Sequence, residues 1–139
     1  MKPSWDQYYM NLVEVIKTRS PDPITKVGSV MVSNEDHRII SSGYNSTNPG
    51  VSDLLIDWSD RESVRKLIIH AEMNCILYCK SRFELSTLYI NLSPCKECIK
   101  IIAASNIKRV VYKNEYKDID EVKALCAFFG VSLEKFQTN

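Results

Sequence analysis

The chain reads as an α/β protein with a mixed five-stranded sheet between two layers of helices. Three observations predict this. Two strand–helix–strand units follow residue 69, and such units favour parallel pairing through right-handed crossovers. Before them, two β-rich runs flank a short polar segment, which predicts an antiparallel hairpin. The length is 139 residues, 45% of them hydrophobic. That suits one domain over 1–139, burying roughly two-thirds of its unfolded surface, with the sheet covered on both faces.

Each element has its own signal. Ser4 and Gln7 form a capping box. Trp5, Tyr8, Tyr9, Leu12, Val13 and Ile16 then recur at helical spacing, so a helix is expected over 4–18. Ser20-Pro21-Asp22-Pro23 ends it and starts a loop. A strand over 27–32, a turn over 34–37 and a return strand over 38–42 make the hairpin. Residues 43–61 read as a long loop, and a loop of that length in a small domain usually has a function. A buried helix is expected over 69–80, followed by a strand over 87–92. Ser93-Pro94 opens a helix over 95–105, where proline suits the first turn. A strand over 109–112 and a helix over 119–129 follow, with Gly130 as the stop residue. A short strand over 131–136 completes the order α-β-β-α-β-α-β-α-β.

Composition excludes several classes of function. With 18 basic and 17 acidic residues the net charge is +1, and no block of like charge occurs. That argues against a nucleic-acid partner, whose footprint needs clustered cations. Met1-Lys2-Pro3-Ser4-Trp5-Asp6 carries no apolar stretch, so no signal peptide is expected, and no apolar run is long enough for a membrane. Five cysteines, two of them in a C-x-x-C, predict reduced thiols and a cytoplasmic protein. A small ligand carrying a phosphate needs only one or two local basic groups.

The chemistry is concentrated in His70-Ala71-Glu72 and Pro94-Cys95-Lys96-Glu97-Cys98. Three zinc ligands, His70, Cys95 and Cys98, leave one coordination position for water, as catalytic sites do, whereas structural sites close with four protein ligands. Cys95 and Cys98 share a helix face, where the helix dipole favours thiolates. Glu72 is left unligated beside the metal as a proton shuttle. H-x-E followed by P-C-x-x-C is the signature of zinc-dependent deaminases acting on cytosine C4 or adenine C6. A lone C-x-x-C would serve equally as a redox pair or a structural zinc site; Glu72 separates the readings. Cys75, Cys79 and Cys126 fall on apolar helical stretches and read as small buried thiols, and His37 as a solvated turn residue.

Beyond these motifs the chain resembles the deoxycytidylate (dCMP) deaminases of the zinc cytidine-deaminase superfamily. The resemblance runs through Ser4-Trp5-Asp6, Arg19-Ser20, Asp22-Pro23-Ile24-Thr25-Lys26-Val27-Gly28 and Gly43-Tyr44-Asn45. It continues with Trp58 and Arg61, His70 to Ile76, Leu92 to Cys98, and Val110-Val111-Tyr112 with Tyr116. It implies a cytidine deaminase-like fold, one zinc ion per chain, and hydrolysis of dCMP to dUMP and ammonia for thymidylate synthesis. It further implies that Asn45 orients the nucleotide, that Ser93 and Pro94 line the base pocket, and that Tyr116 lies against the substrate. The bland alternative for Asn45, less favoured, is a turn residue; Tyr116 reads equally as a packed aromatic. Lys26 and Lys117, at predicted strand ends, are candidates for the substrate phosphate or are solvated charges. The alternative is a deaminase for another cytosine nucleotide such as dCTP, for cytidine, or for a nucleic-acid base. Relatives of this kind form hexamers regulated by dCTP and dTTP, so a homo-oligomer and a regulatory nucleotide with its Mg2+ are expected. Ser46 stands where the family's Gly-Tyr-Asn-Gly loop has glycine. If that position needs positive φ, the serine weakens control.

Overall fold

The computed structural model describes residues 1–80 and 85–138. The elements are α1 (Trp5–Ile16), β1 (Gly28–Ser33), β2 (Ile39–Tyr44), α2 (Arg61–Leu67), α3 (Ala71–Leu77), β3 (Ser86–Leu92), α4 (Lys96–Ala104), β4 (Ile107–Asn114), α5 (Ile119–Phe129) and β5 (Ser132–Lys135). Short 3-10 turns occur at Lys17–Arg19 and Asp53–Leu55. The strands form one mixed sheet in the order β2-β1-β3-β4-β5. The hairpin β1–β2 and the pair β1–β3 are antiparallel, while β3–β4 and β4–β5 are parallel. This is the expected architecture.

Strand alternation divides the core in two, because successive side chains point to opposite faces. Val30, Val32, Tyr89 and Val111 face α1, where they meet Tyr9, Met10 and Val13. Met31, Leu88, Ile90, Val110 and Tyr112 face the other way, onto Cys75, Cys98, Ile99, Ile102, Val122 and Cys126. So α1 covers one face, and α3, α4 and α5 cover the other. The small-thiol reading of Cys75 and Cys126 fits this packing. Burial pushes the Cys75 thiol up to about 12.

Several boundaries differ from expectation, each for a local reason. Ser4 caps α1, its Oγ accepting from the Gln7 N–H at 3.1 Å, but the Gln7 side chain donates forward to Asn11 at 2.8 Å. Only half of the capping box forms. His70 and Cys95 are extended N-cap residues of α3 and α4 rather than helical ones, so Pro94 precedes the cap instead of opening the first turn. The helix expected over 69–80 is shorter at both ends. The loop over 43–61 is less bare than its composition suggests. Ser46 and Ile69 exchange backbone hydrogen bonds at 3.2 and 2.8 Å, and α2 starts at Arg61 where none was expected. Its signals are present in the sequence: Asp60 accepts from the Ser63 N–H at 3.2 Å, Glu62 lies in the first turn, and Arg65 and Lys66 in the last. Seven residues with one buried side chain, Val64, are too few to show an apolar period.

Two glycines are required where they stand. A Cβ on Gly43 would meet Ala71 O at 2.5 Å and Cys75 N at 2.6 Å, so only glycine lets α3 lie this close to β2. Gly130 ends α5 at φ 74°, a conformation that favours residues without a Cβ.

Candidate active site

The cap positions of α3 and α4 bring the three predicted metal ligands together. His70 (φ −62°, ψ 154°) and Cys95 (φ −75°, ψ 159°) make no side-chain capping bond to their own helices, so both side chains are available to each other. Cys98, buried, joins them from the first turn of α4. Cys95 Sγ and Cys98 Sγ are 3.3 Å apart and lie 3.4 and 3.5 Å from His70 Nδ1. Tetrahedral zinc, with Zn–S about 2.3 Å and Zn–N about 2.0–2.1 Å, spaces such donors about 3.5–3.8 Å apart. The residues therefore fit zinc to within a few tenths of an ångström. Among the described residues this is the one cluster of histidine, cysteine and acidic side chains able to hold a metal ion.

The local electrostatics match a ligand set. Cys98 donates to Cys95, and the His70 imidazole adds to this, holding Cys95 well below the usual thiol range. The shared proton and burial raise Cys98. Hydrogen bonding to Cys95 raises His70. A bound dication inverts this pattern and deprotonates both thiols.

Glu72 lies in the first turn of α3 and is 4% exposed. Its Oε1 is 3.7 Å from His70 Nδ1, beside the ligand triangle. Burial pushes its carboxyl up to about 7, against the opposing pull of His70. A metal dication beside it favours the ionised form, which can take a proton from water.

A cavity of about 200 Å³ opens onto this centre. Its walls carry Asp22, Thr25, Val27, Asn45, Arg61, Val64, Arg65, Ile68, His70, Ala71, Glu72, Leu92, Ser93, Cys95 and Tyr116. Of the residues singled out from sequence, it gathers His70, Glu72, Cys95, Asn45, Ser93 and Tyr116. Asn45 braces the loop leading into β1, its Oδ1 accepting from the Val27 N–H at 2.9 Å and its Nδ2 donating to Thr25 O at 2.8 Å. Ser93 Oγ accepts from the Tyr116 N–H at 2.7 Å, which seats the tyrosine at the wall. Pro94 is buried next to Ser93 but is not part of the wall. Neither lysine lines the cavity. Lys26 Nζ donates to Ser20 O, and Lys117 Nζ stands 5.6 Å over the Tyr116 ring. The wall's cations are Arg61 and Arg65, both from the unexpected helix α2.

Comparison with known proteins agrees with this geometry. A family model described as the cytidine and deoxycytidylate deaminase zinc-binding region matches residues 3–114. The chain belongs to this deaminase family. Human deoxycytidylate deaminase is 34% identical to it, over 95% of this chain and 79% of the human protein. The deoxycytidylate deaminase of Mycobacterium phage D29 is 37% identical over 82% of this chain and 98% of its own. Among solved structures, the dCMP deaminase of cyanophage S-TIM5 in complex with dCMP and dUMP superposes with a TM-score of 0.78. The two share 29% identity, over 98% of this chain and 99% of that one. As a member of the deaminase family the chain is a hydrolase with a zinc-binding region, and its fold is the cytidine deaminase-like one.

A second cavity of about 330 Å³ lies on the other side of α3. Arg19, Tyr44, Ser46, Asn48, Asn74 and Tyr78 are among its walls. Ser46 avoids the left-handed region, since the positive-φ residues other than glycine are His37, Asn106 and Asp118 among those described. Its Oγ accepts from Asn74 Nδ2 at 3.2 Å. The serine therefore brings no backbone strain to this loop. No helix among the described residues is long and apolar enough to cross a membrane.

Proposed function

We propose that the chain, as one deaminase domain over 1–139, hydrolyses dCMP to dUMP and ammonia. The observation that carries this reading is the buried, unligated Glu72 beside the His70–Cys95–Cys98 triangle, in a cavity whose wall also bears an arginine with no carboxylate partner among the described residues. His70, Cys95 and Cys98 would hold one zinc ion, which supplies Lewis-acid chemistry and lowers the pKa of water. Water adds at cytosine C4 and the 4-amino group leaves as ammonia. Glu72 carries one proton of the water to ring N3, where it stays, and the second to the leaving nitrogen, which departs as ammonia while the oxygen remains as the C4 carbonyl. Ser93, with Pro94 behind it, borders the base; Asn45 orients the sugar; Tyr116 lies against the nucleotide.

The phosphate reading passes to Arg65. Asp22 neutralises Arg61 through two contacts, 3.0 and 2.7 Å long. Arg65 takes part in no ion pair among the described residues. Free guanidinium groups suit phosphate because their forked donors match its oxygens. Lys117 is the second candidate, because its ammonium lies over a cavity aromatic; Lys26 is engaged by Ser20. The dCMP and dUMP held by the cyanophage relative support the same substrate class.

The second cavity supports an effector site for dCTP or dTTP, with Mg2+ carried by the triphosphate, in a homo-hexamer. Exposed Trp5 and Phe128 offer apolar surface for such an assembly. The deciding experiment is ammonia release by zinc-replete protein from dCMP, deoxycytidine, dCTP, cytidine and a cytosine-containing single strand. The highest kcat/KM is expected for dCMP. A higher value for dCTP or for the single strand would replace this substrate assignment with the alternative.

A further inference from the structure

The helix that brings Arg65 to the cavity is weakly held by its own packing. α2 spans seven residues and buries only Val64, so apolar burial contributes little to its position. What fastens it is polar. Asp22, 3% exposed at its side chain, receives Arg61 Nη1 at 3.0 Å on Oδ1 and Arg61 Nη2 at 2.7 Å on Oδ2. Oδ1 also accepts the backbone N–H groups of Ile24 at 2.9 Å and Thr25 at 3.2 Å. Arg61 Nη1 in turn donates to Trp58 O at 2.9 Å. The carboxylate therefore ties the first residue of α2 to the 20–27 loop, which Asn45 braces from behind. Burial opposes ionisation of Asp22, yet the guanidinium and the two N–H groups outweigh it and keep its pKa below the usual carboxylate range.

Arg65 lies four residues after Arg61, and residues at that spacing are neighbours on one helix face. The first arginine is spent on Asp22; the second is left to face the cavity. We propose that the Asp22–Arg61 pair is a positioning strut that docks α2 and thereby holds Arg65 where the substrate phosphate binds. This rests on the dCMP reading above. Asp22 and Arg61 act through Arg65 and are positioning residues. Their removal loosens the phosphate cation without touching the reacting atoms.

The test compares zinc-loaded Asp22→Asn, Arg61→Gln, Arg65→Gln and the double variants that combine either strut change with Arg65→Gln. The readouts are KM and kcat for dCMP, the dCMP-to-deoxycytidine preference in kcat/KM, and hydrogen exchange of the 61–67 amides. Hydrogen bonds to charged groups are worth enough that losing one raises KM on the order of tenfold. Asp22→Asn and Arg61→Gln should each raise KM for dCMP by that order, with a smaller change in kcat, and narrow the preference. They should also speed exchange over 61–67, and add nothing further in the Arg65→Gln background. If the strut variants lower Tm with the preference intact, the pair is merely structural and the proposal fails. It also fails if Arg61→Gln costs far more than Asp22→Asn and the loss persists in the Arg65→Gln background, since Arg61 would then contact the phosphate itself. A preference unmoved by Arg65→Gln would instead overturn the phosphate reading on which the strut depends, whatever the exchange data show.

Discussion

Glu72 shows how much one residue depends on its neighbours. Its carboxyl is buried, and burial alone makes a charge costly. The His70 side chain beside it and the open cavity in front suit that carboxyl to the proposed proton transfer. Glu72→Gln keeps the shape and removes the proton transfer. The variant is expected to keep about one zinc per chain and its fold while kcat falls by at least about 10²–10⁴-fold, the usual range for general acid–base catalysis. Zinc content, circular dichroism and ammonia release together check this; near-normal turnover in zinc-loaded protein would defeat the proton-shuttle role. Gly43 is the counterpart on the packing side, since its missing Cβ is what lets the helix bearing Glu72 reach the sheet.

Between elements, α1 is joined to the far edge of the sheet by a charged cluster as well as by Tyr9, Met10 and Val13. Arg109 on β4 donates to Asp6 on α1 at 3.1 and 2.8 Å and to Glu134 on β5 at 2.7 and 3.0 Å. Tyr89 OH donates to Asp6 at 2.6 Å. The guanidinium is the chief cause holding both carboxyls below their ordinary values. Groups with depressed folded pKa contribute stability above their unfolded pKa, near 4 for these residues, and lose it as pH falls through the folded value. Both carboxylates are more than a third exposed, so solvent screening keeps the size modest. Arg109→Met should therefore lower Tm at pH 7, and the difference from the parent should shrink as pH drops from about 5 to about 3. Thermal melts across that range check it; a gap that stays constant with pH would exclude the ionic contribution.

At the scale of the whole molecule, the proposed metal centre joins α3 to α4, two of the three helices that cover one face of the sheet. Whatever binds the folded form alone stabilises it in proportion to its saturation. At about 1,000 times Kd the gain is about 4 kcal/mol, which moves Tm on the order of 10 °C in a chain of this size. Chelation should lower Tm by that order and abolish turnover, and added zinc should restore both. Cys98→Ala should melt like the chelated protein and respond little to zinc. A full activity and Tm in protein stripped of metal would remove zinc from the account.

The mixed five-stranded sheet, the helices on both its faces and the ligand set were legible from sequence because each has a short-range signal. Short β-rich runs between turn signals make strands, a helical apolar stripe makes α1, Gly130 stops α5, and a cysteine pair three residues apart on one turn points both thiols the same way. The H-x-E spacing likewise places Glu72 beside His70 wherever the helix lies. The proposed phosphate cation was not legible. Lys26 and Lys117 stand at strand ends in the sequence, but backbone and ring contacts engage them once the chain folds. Arg65 belongs to a helix too short to show a period, and that helix meets the rest of the site through Asp22, 39 residues from Arg61. Local periodicity and spacing thus determined the fold and the reacting centre. The tertiary structure alone decided which charges are neutralised and which line the cavity unpaired among the described residues, because pairing is set by distance in space.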